Sequence, residues 1–195
     1  VLNNIPNYYY STFKYFLNTL LKNKKINIDI LGFLIGPILN SGGRLGHSDY
    51  AVKLLSSSNE KEVLKICNKL VYLNEKRKQI ETKIMKKINL KEINNKSNGV
   101  IFIYDSTFKD GLIGIIASRL KENFNRPSFV MTASSTLIKG SVRSTFNFDV
   151  GKVLRKAADK NLIISGGGHQ MAGGFKIKKS KLNIFKSFLD SEFNK

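Results

Sequence analysis

Cysteine, histidine and acidic side chains are scarce in this chain, and that scarcity excludes whole classes of function. Cys67 is alone, so no internal disulfide can form. A single thiol fits a reducing compartment, and a cytoplasmic location is expected. The two histidines, His47 and His169, lie far apart, and the aspartates at 29, 49, 105, 110, 149, 159 and 190 are scattered singly. There is no Asp-x-Asp or Asp-His-His run and no cysteine cluster. Two-metal phosphoryl chemistry needs carboxylates and imidazoles gathered together, so no metal site and no catalytic residue is assigned within this chain. Nothing local supports an activated serine nucleophile either. No apolar run approaches the about 18 residues that mark a membrane span. The opening stretch VLNNIPNYYYSTFKYFL lacks the basic region and apolar core of a signal peptide. It also lacks an initiator Met, which suggests a piece of a longer chain.

What the chain has in excess is positive charge: 33 Lys and Arg against 14 Asp and Glu, a net +19. One reading is a polyanionic partner, most often nucleic acid. The other is overuse of Lys and Asn, as in proteins of AT-rich genomes. Arginine occurs only at 44, 77, 119, 126, 143 and 155. Because Arg is the bidentate reader of phosphate, these few positions discriminate better than the many lysines.

At 195 residues, with 42% apolar composition, the chain can bury a core in one or two domains. Residues 8 to 24 read as a helix, and the apolar stretch after it breaks into a Pro, Asn and Gly cluster with turn chemistry. Ser48 is placed as the N-cap of a second helix. A long helix is expected from about Asn59 to about Leu90, with Val63, Ile66, Leu70, Leu73, Ile80 and Ile84 on one stripe and Arg77 within it. It reads either as a solvated connector lying against a domain or as a coiled-coil seam. From Gly99 strands and helices alternate: GVIFIYD, RPSFVMTA, LIKGSVRS, a short NLII and FKIKK as strands, with helices between and after them. Asp149 is a plausible N-cap for the helix at DVGKVLRKAAD. The expected architecture is a helical segment (1–58), a connector helix (59–95) and an α/β domain (96–195) with a mixed, mostly parallel sheet.

Three stretches could carry chemistry. GPILNSGGRLGHSDYA, residues 36 to 51, reads as a Gly-rich turn before a helix, able to offer backbone N–H groups to an anion, or as a simple tight turn. In KGSVRS, residues 139 to 144, strand alternation puts Ser141 and Arg143 on one face, either as a phosphate clamp or as a solvated strand face. In NLIISGGGHQMAGGFKI, residues 161 to 177, Gly166 to Gly168 read as a turn that lets a ligand approach the main chain, with His169 beside it.

These stretches, in this order, resemble the C-terminal part of RecJ-type single-strand-specific exonucleases of the DHH phosphoesterase superfamily. The motifs that carry the resemblance are GPILNSGGRLGHSDYAVKLL, DGLIGIIASRLKENFNRPSFV, and GSVRS followed by SGGGHQMAGGF, covering about residues 29 to 190. It implies a metal-dependent 5′→3′ exonuclease on single-stranded DNA, acting in repair and recombination. A preceding DHH domain would hold two Mn²⁺ or Mg²⁺ ions, and the strand would run between it and the DHH-associated domain. This chain would then grip substrate as a monomer without a membrane partner, and would be inactive alone. Ser141 and Arg143 match the residues that hold a terminal 5′ phosphate. Asn40 and Arg44 match positions facing the substrate backbone, and Gly167, Gly168 and His169 match a nucleotide-contacting strip. Three departures stand out. Ile38 follows Pro37 where the family has arginine, and NSGGR replaces the usual NAAGR. Lys109 occupies the region of a missing histidine and is a possible charge contact. The alternatives are another DHH phosphoesterase acting on short oligonucleotides, or a non-catalytic nucleic-acid-binding module.

Overall fold

The computed structural model describes residues 20–21, 27–88, 93 and 99–195. The expected helix at 8 to 24 therefore lies almost wholly outside the described residues. The chain divides into two compact units, Val1–Ile80 and Glu81–Lys195. The division falls inside the long helix.

In the first unit a π-helical turn, Ile30–Ile35, runs directly into helix α1, Gly36–Leu45. The Pro, Asn and Gly cluster is thus helical, and the expected turn is corrected. Pro37 stands in the first helical turn, where its missing N–H is no loss. The glycines serve close approach: a Cβ on Gly42 would strike the His47 carbonyl and come within 3.3 Å of Leu70 Cδ2. Ser41 is fully buried, its hydroxyl reaching the carbonyls of Ile38 (2.6 Å) and Leu70 (2.9 Å). Only Gly46 makes a turn, ending α1 at φ 97°. Helix α2, Asp49–Ser56, follows; Ser48 precedes it as expected, but its side chain makes no capping bond. Helix α3, Glu60–Lys87, carries the long stripe. Val63, Ile66, Cys67 and Leu70 pack with Ile35, Ile38 and Leu54 in this unit's core.

The last turns of α3 belong to the second unit and are tied there by ion pairs. Arg119 Nε reaches Glu81 at 2.9 Å, and Lys87 Nζ reaches Asp105 at 2.6 Å. Lys87, with the Thr107 hydroxyl and amide, holds the Asp105 carboxyl at a pKa of about 2. That depression stabilises the fold above the ordinary value of 3.8, and the contribution is lost as pH falls toward 2.

The second unit has three layers. Strands β1 (Ile101–Tyr104), β2 (Ser128–Ser134), β3 (Leu137–Arg143), β4 (Ser165–His169) and β5 (Ala172–Ile177) form one sheet in the order β1-β2-β3-β5-β4. The sheet is mixed, but only the β1–β2 pairing is parallel. The expectation of a mostly parallel sheet fails because one long crossover, through helix α4 (Ile113–Phe124), is followed by two hairpins. Two local readings also change. NLII is not a strand: Asn161 adopts φ 54° just after helix α5 (Val150–Asp159) ends. The glycine run is itself the strand β4.

One sheet face carries Phe129, Met131, Val142, Phe175 and Ile177, and packs against α5 and helix α6 (Leu182–Phe193) through Leu154, Phe185 and Leu189. α4 lies on the other face, over β2 and β3. Asp149 caps α5 as expected, accepting from the Lys152 amide at 3.0 Å, a bond that holds its carboxyl below the usual range. At the centre of the core, Phe175 stands 5.2 Å from Phe185 in edge-to-face contact. Its ring covers Gly140, its direct partner in the ladder, so that a Cβ there would overlap the ring. Gly140→Ala should therefore cost about 1–3 kcal/mol of unfolding free energy in urea titration. Adding Phe175→Leu should recover part of the loss; simple additivity of the two losses would contradict this packing.

Candidate functional site

Three strands lie side by side at the β3-β5-β4 end of the sheet, and their register sets the site. Arg143 pairs with Ala172, which pairs with His169; one row along, Ser141 pairs with Gly174 and Gly174 with Gly167; the third row is Lys139, Lys176 and Ser165. Directly opposed residues share a face, so all nine point to the side on which α4 packs. Successive rows are about 6.6 Å apart along the strands.

Ser141 and Arg143 form one element of this face. Arg143 Nη1 lies 3.4 Å from Ser141 Oγ and donates to the Val142 carbonyl at 2.9 Å. Both side chains abut the first turn of α4, where Gly114 leaves room for them. A Cβ on Gly114 would sit 3.1 Å from Ser141 Oγ and 3.4 Å from Arg143 Nη2. No side chain caps α4, so a guanidinium, a hydroxyl and the positive end of a helix converge, a combination suited to an anionic oxygen.

The glycines divide into two groups. A Cβ on Gly166 would lie 2.7 Å from Ile163 Cδ1, and one on Gly173 would lie 2.7 Å from Leu154 Cδ1. One on Gly168 would collide with the Ala172 carbonyl. Packing disfavours a side chain at these three positions, most of all at Gly168, where backbone atoms block it. Gly167 has nothing within 4 Å of its would-be Cβ, and Gly174 has only the Gly140 carbonyl, at 3.7 Å. These two are ladder partners and form a bare backbone floor on the α4-side face. Glycine weakens a strand, and among the described residues no atom lies close enough to require it at Gly167.

His169 is exposed at the end of β4, and its Nδ1 accepts from the Met171 amide at 3.3 Å. In the neutral ring that bond leaves Nε2 as the donor. Lys109 is exposed just before the 3₁₀ turn Asp110–Leu112 that leads into α4. In the first unit, Asn40 is exposed and Arg44 half-buried, one helical turn apart on α1. The structure thus brings Ser141, Arg143, Gly167 and His169 onto one face of one sheet. It gives Gly168 a packing role as well.

Sequence reasoning passed over Gly114, Gly174, Lys139 and Lys176. The alternation in KGSVR that put Ser141 beside Arg143 puts Lys139 on the same face, and there its Nζ pairs with Asp110 at 3.0 Å. Gly114 and Gly174 become legible only with the register. Of the arginines, Arg119 holds Glu81, and Arg126 donates to the carbonyls of Gly99 (2.9 Å) and Ile93 (3.0 Å). Arg77 donates to Asn74 at 3.2 Å. Among the described residues no three His, Cys, Asp or Glu side chains gather as a metal site.

Known proteins resemble this chain along most of its length. The DHHA1 domain profile matches residues 71–195. The single-stranded-DNA-specific exonuclease RecJ of Escherichia coli strain K12 is 33% identical over 172 residues, covering 84% of this chain and 30% of that protein. The crystal structure of RecJ from Thermus thermophilus in complex with Mn²⁺ matches 96% of this chain and 27% of its own, with a TM-score of 0.84 at 25% identity. A second crystal structure, of exonuclease RecJ bound to manganese, matches the whole chain and 48% of its own, at TM-score 0.80 and 26% identity. The chain spans less than a third of the length of the E. coli protein.

The two groups of glycines should separate experimentally. Gly167→Ala should leave the thermal midpoint unchanged or slightly higher, because Ala restricts the unfolded chain. Gly173→Ala should lower it by several degrees. Equal losses in scanning calorimetry would show that the floor is also a packing requirement.

Proposed function

We propose, because the chain belongs to the DHHA1 domain family and its relatives are single-strand exonucleases, that it is the substrate-gripping part of a metal-dependent exonuclease degrading single-stranded DNA from the 5′ end. The observation that carries this reading is the Ser141–Arg143 pair packed at the start of α4 beside the bare Gly167–Gly174 floor. A terminal phosphate offers more free oxygens than an internal phosphodiester. Arg143 supplies a fork of donors and Ser141 a hydroxyl, while the start of α4 adds favourable partial charge. A grip on that terminus sets a 5′→3′ polarity. His169 Nε2–H would donate to the same nucleotide, whose sugar or base lies against the glycine backbone. Asn40, Arg44 and Lys109 are assigned further contacts with the strand's backbone.

The described residues offer no donor set that fits a divalent ion, so no step of hydrolysis is routed through this chain. The two Mn²⁺ or Mg²⁺ ions, and the water they activate, belong in this reading to an upstream DHH domain of a cytoplasmic, monomeric repair enzyme.

Arg143→Ala should weaken binding of a 5′-phosphorylated single strand about 10- to 100-fold, the worth of a hydrogen bond to a charged group. Its effect on a 5′-hydroxyl strand should be much smaller. Equal losses for both strands in anisotropy titrations would refute the terminal-phosphate role. With Mn²⁺ added, the purified 195-residue chain should release no mononucleotide from a labelled strand. Release that follows the protein through purification and is abolished by Arg143→Ala would overturn the assignment of catalysis to another domain.

A further inference from the structure

The loop between β3 and α5 holds an aromatic ring in solvent beside this site. Phe146 is 77% exposed, whereas Phe148, two residues on, is buried. Single exposed apolar side chains are common on surfaces, so exposure alone says little. The informative feature is how firmly the loop's backbone is fixed around this one. Thr145 and Phe148 close a turn, with the Phe148 amide donating to the Thr145 carbonyl at 3.2 Å. Phe146 sits inside that turn, and its own carbonyl accepts from Gln170 Nε2 at 3.0 Å. The flanks are pinned to the same hairpin: the Ser144 amide donates to the Met171 carbonyl (2.8 Å), and the Val150 amide to the Gln170 carbonyl (3.2 Å). Below, the fully buried Ser144 hydroxyl donates to the Phe148 carbonyl at 2.6 Å.

The ring therefore stands on a braced turn next to the β4–β5 hairpin tip, three residues from Arg143 and hydrogen-bonded to the neighbour of His169. An aromatic on a fixed backbone has only its two side-chain torsions left to lose when it takes up a flat partner. Proteins that hold single strands pair phosphate-binding cations with aromatic platforms on which bases stack, and stacking accepts any base.

We infer that Phe146 is a base-stacking platform: it receives a nucleobase of the strand whose phosphate is held by Ser141 and Arg143. The inference rests on the single-strand reading above and adds to it a base-dependent component of affinity. The chain contains no tryptophan, so Phe146→Trp introduces a lone indole at the site itself.

The test uses the 195-residue chain, a 5′-phosphorylated oligothymidylate, and an abasic oligomer with the same phosphates. Indole fluorescence of Phe146→Trp should be quenched by the oligothymidylate and not by the abasic strand. In the otherwise unaltered chain, Phe146→Ala should weaken oligothymidylate binding about 5- to 100-fold, the range a base–aromatic stack is worth, and leave abasic binding unchanged. Equal quenching by both strands, or equal weakening of both by Phe146→Ala, overturns the platform. If both strands bind and depend on Arg143 but neither responds to Phe146, the platform fails and the phosphate grip stands. If no strand binds the unaltered chain, both fail together.

Discussion

Along β3 the pleat sends Ile138 and Val142 into the core with α5 and α6, and turns Lys139, Ser141 and Arg143 toward the opposite face. Both halves of the α/β unit depend on that alternation. A one-residue slip of β3 would drive a lysine, a serine and an arginine into an apolar layer, and expose a valine and an isoleucine. The register is therefore fixed by the core and inherited by the site. Gly140, under the ring of Phe175, locks it further, because a residue with a side chain could occupy that place in the ladder only by displacing the ring. The placement of Ser141 beside Arg143 is thus a by-product of hydrophobic packing on the far side of the same strand.

The five glycines of the last hairpin show the same coupling at closer range. Three are needed so that β4 can lie against α5, Ile163 and its own hairpin return. Two face the other way and, among the described residues, meet nothing that excludes a side chain. A strand of this composition is poor in intrinsic stability, and β4 is exposed along its whole length. It persists because β5 pairs with it and the first turn of α5 abuts it, with the Gly168 carbonyl 3.1 Å from a would-be Cβ on Gly151. Bare backbone is tolerated on the α4-side face only because the core side is tightly made.

Much of this was legible in the sequence, and the failures have a common cause. Periodicity gave the long helix, the alternation of LIKGSVR gave the face shared by Ser141 and Arg143, and Asp149 was read correctly as a cap. GPILNSGG was misread as a turn because Gly42 answers to contacts with His47 and Leu70, which local propensity cannot see. SGGGH was misread for the same reason: its partner strand and its helix neighbour lie outside the window that a pattern inspects. The direction of the sheet pairings was also beyond reach, since nothing within a strand states which neighbour it meets. Where one strand's own period decides, sequence reading succeeded. Where two elements must approach, it did not.

The charge excess can now be weighed against these particulars. With 14 acidic residues against 33 basic ones, cations outnumber carboxylates by 19 whatever the fold. The surface must repel itself, and a polyanion would relieve that strain while releasing counterions. Overuse of lysine could produce the same total, but it has no reason to distinguish among positions. Arginine does distinguish: Arg77, Arg119 and Arg126 bond to named carbonyl or carboxylate oxygens that hold the fold, and Arg143 stands beside a hydroxyl, a helix start and an unfilled glycine floor. The case for a nucleic-acid partner therefore rests on where one guanidinium sits, with the lysine-rich surface supplying a diffuse field around it.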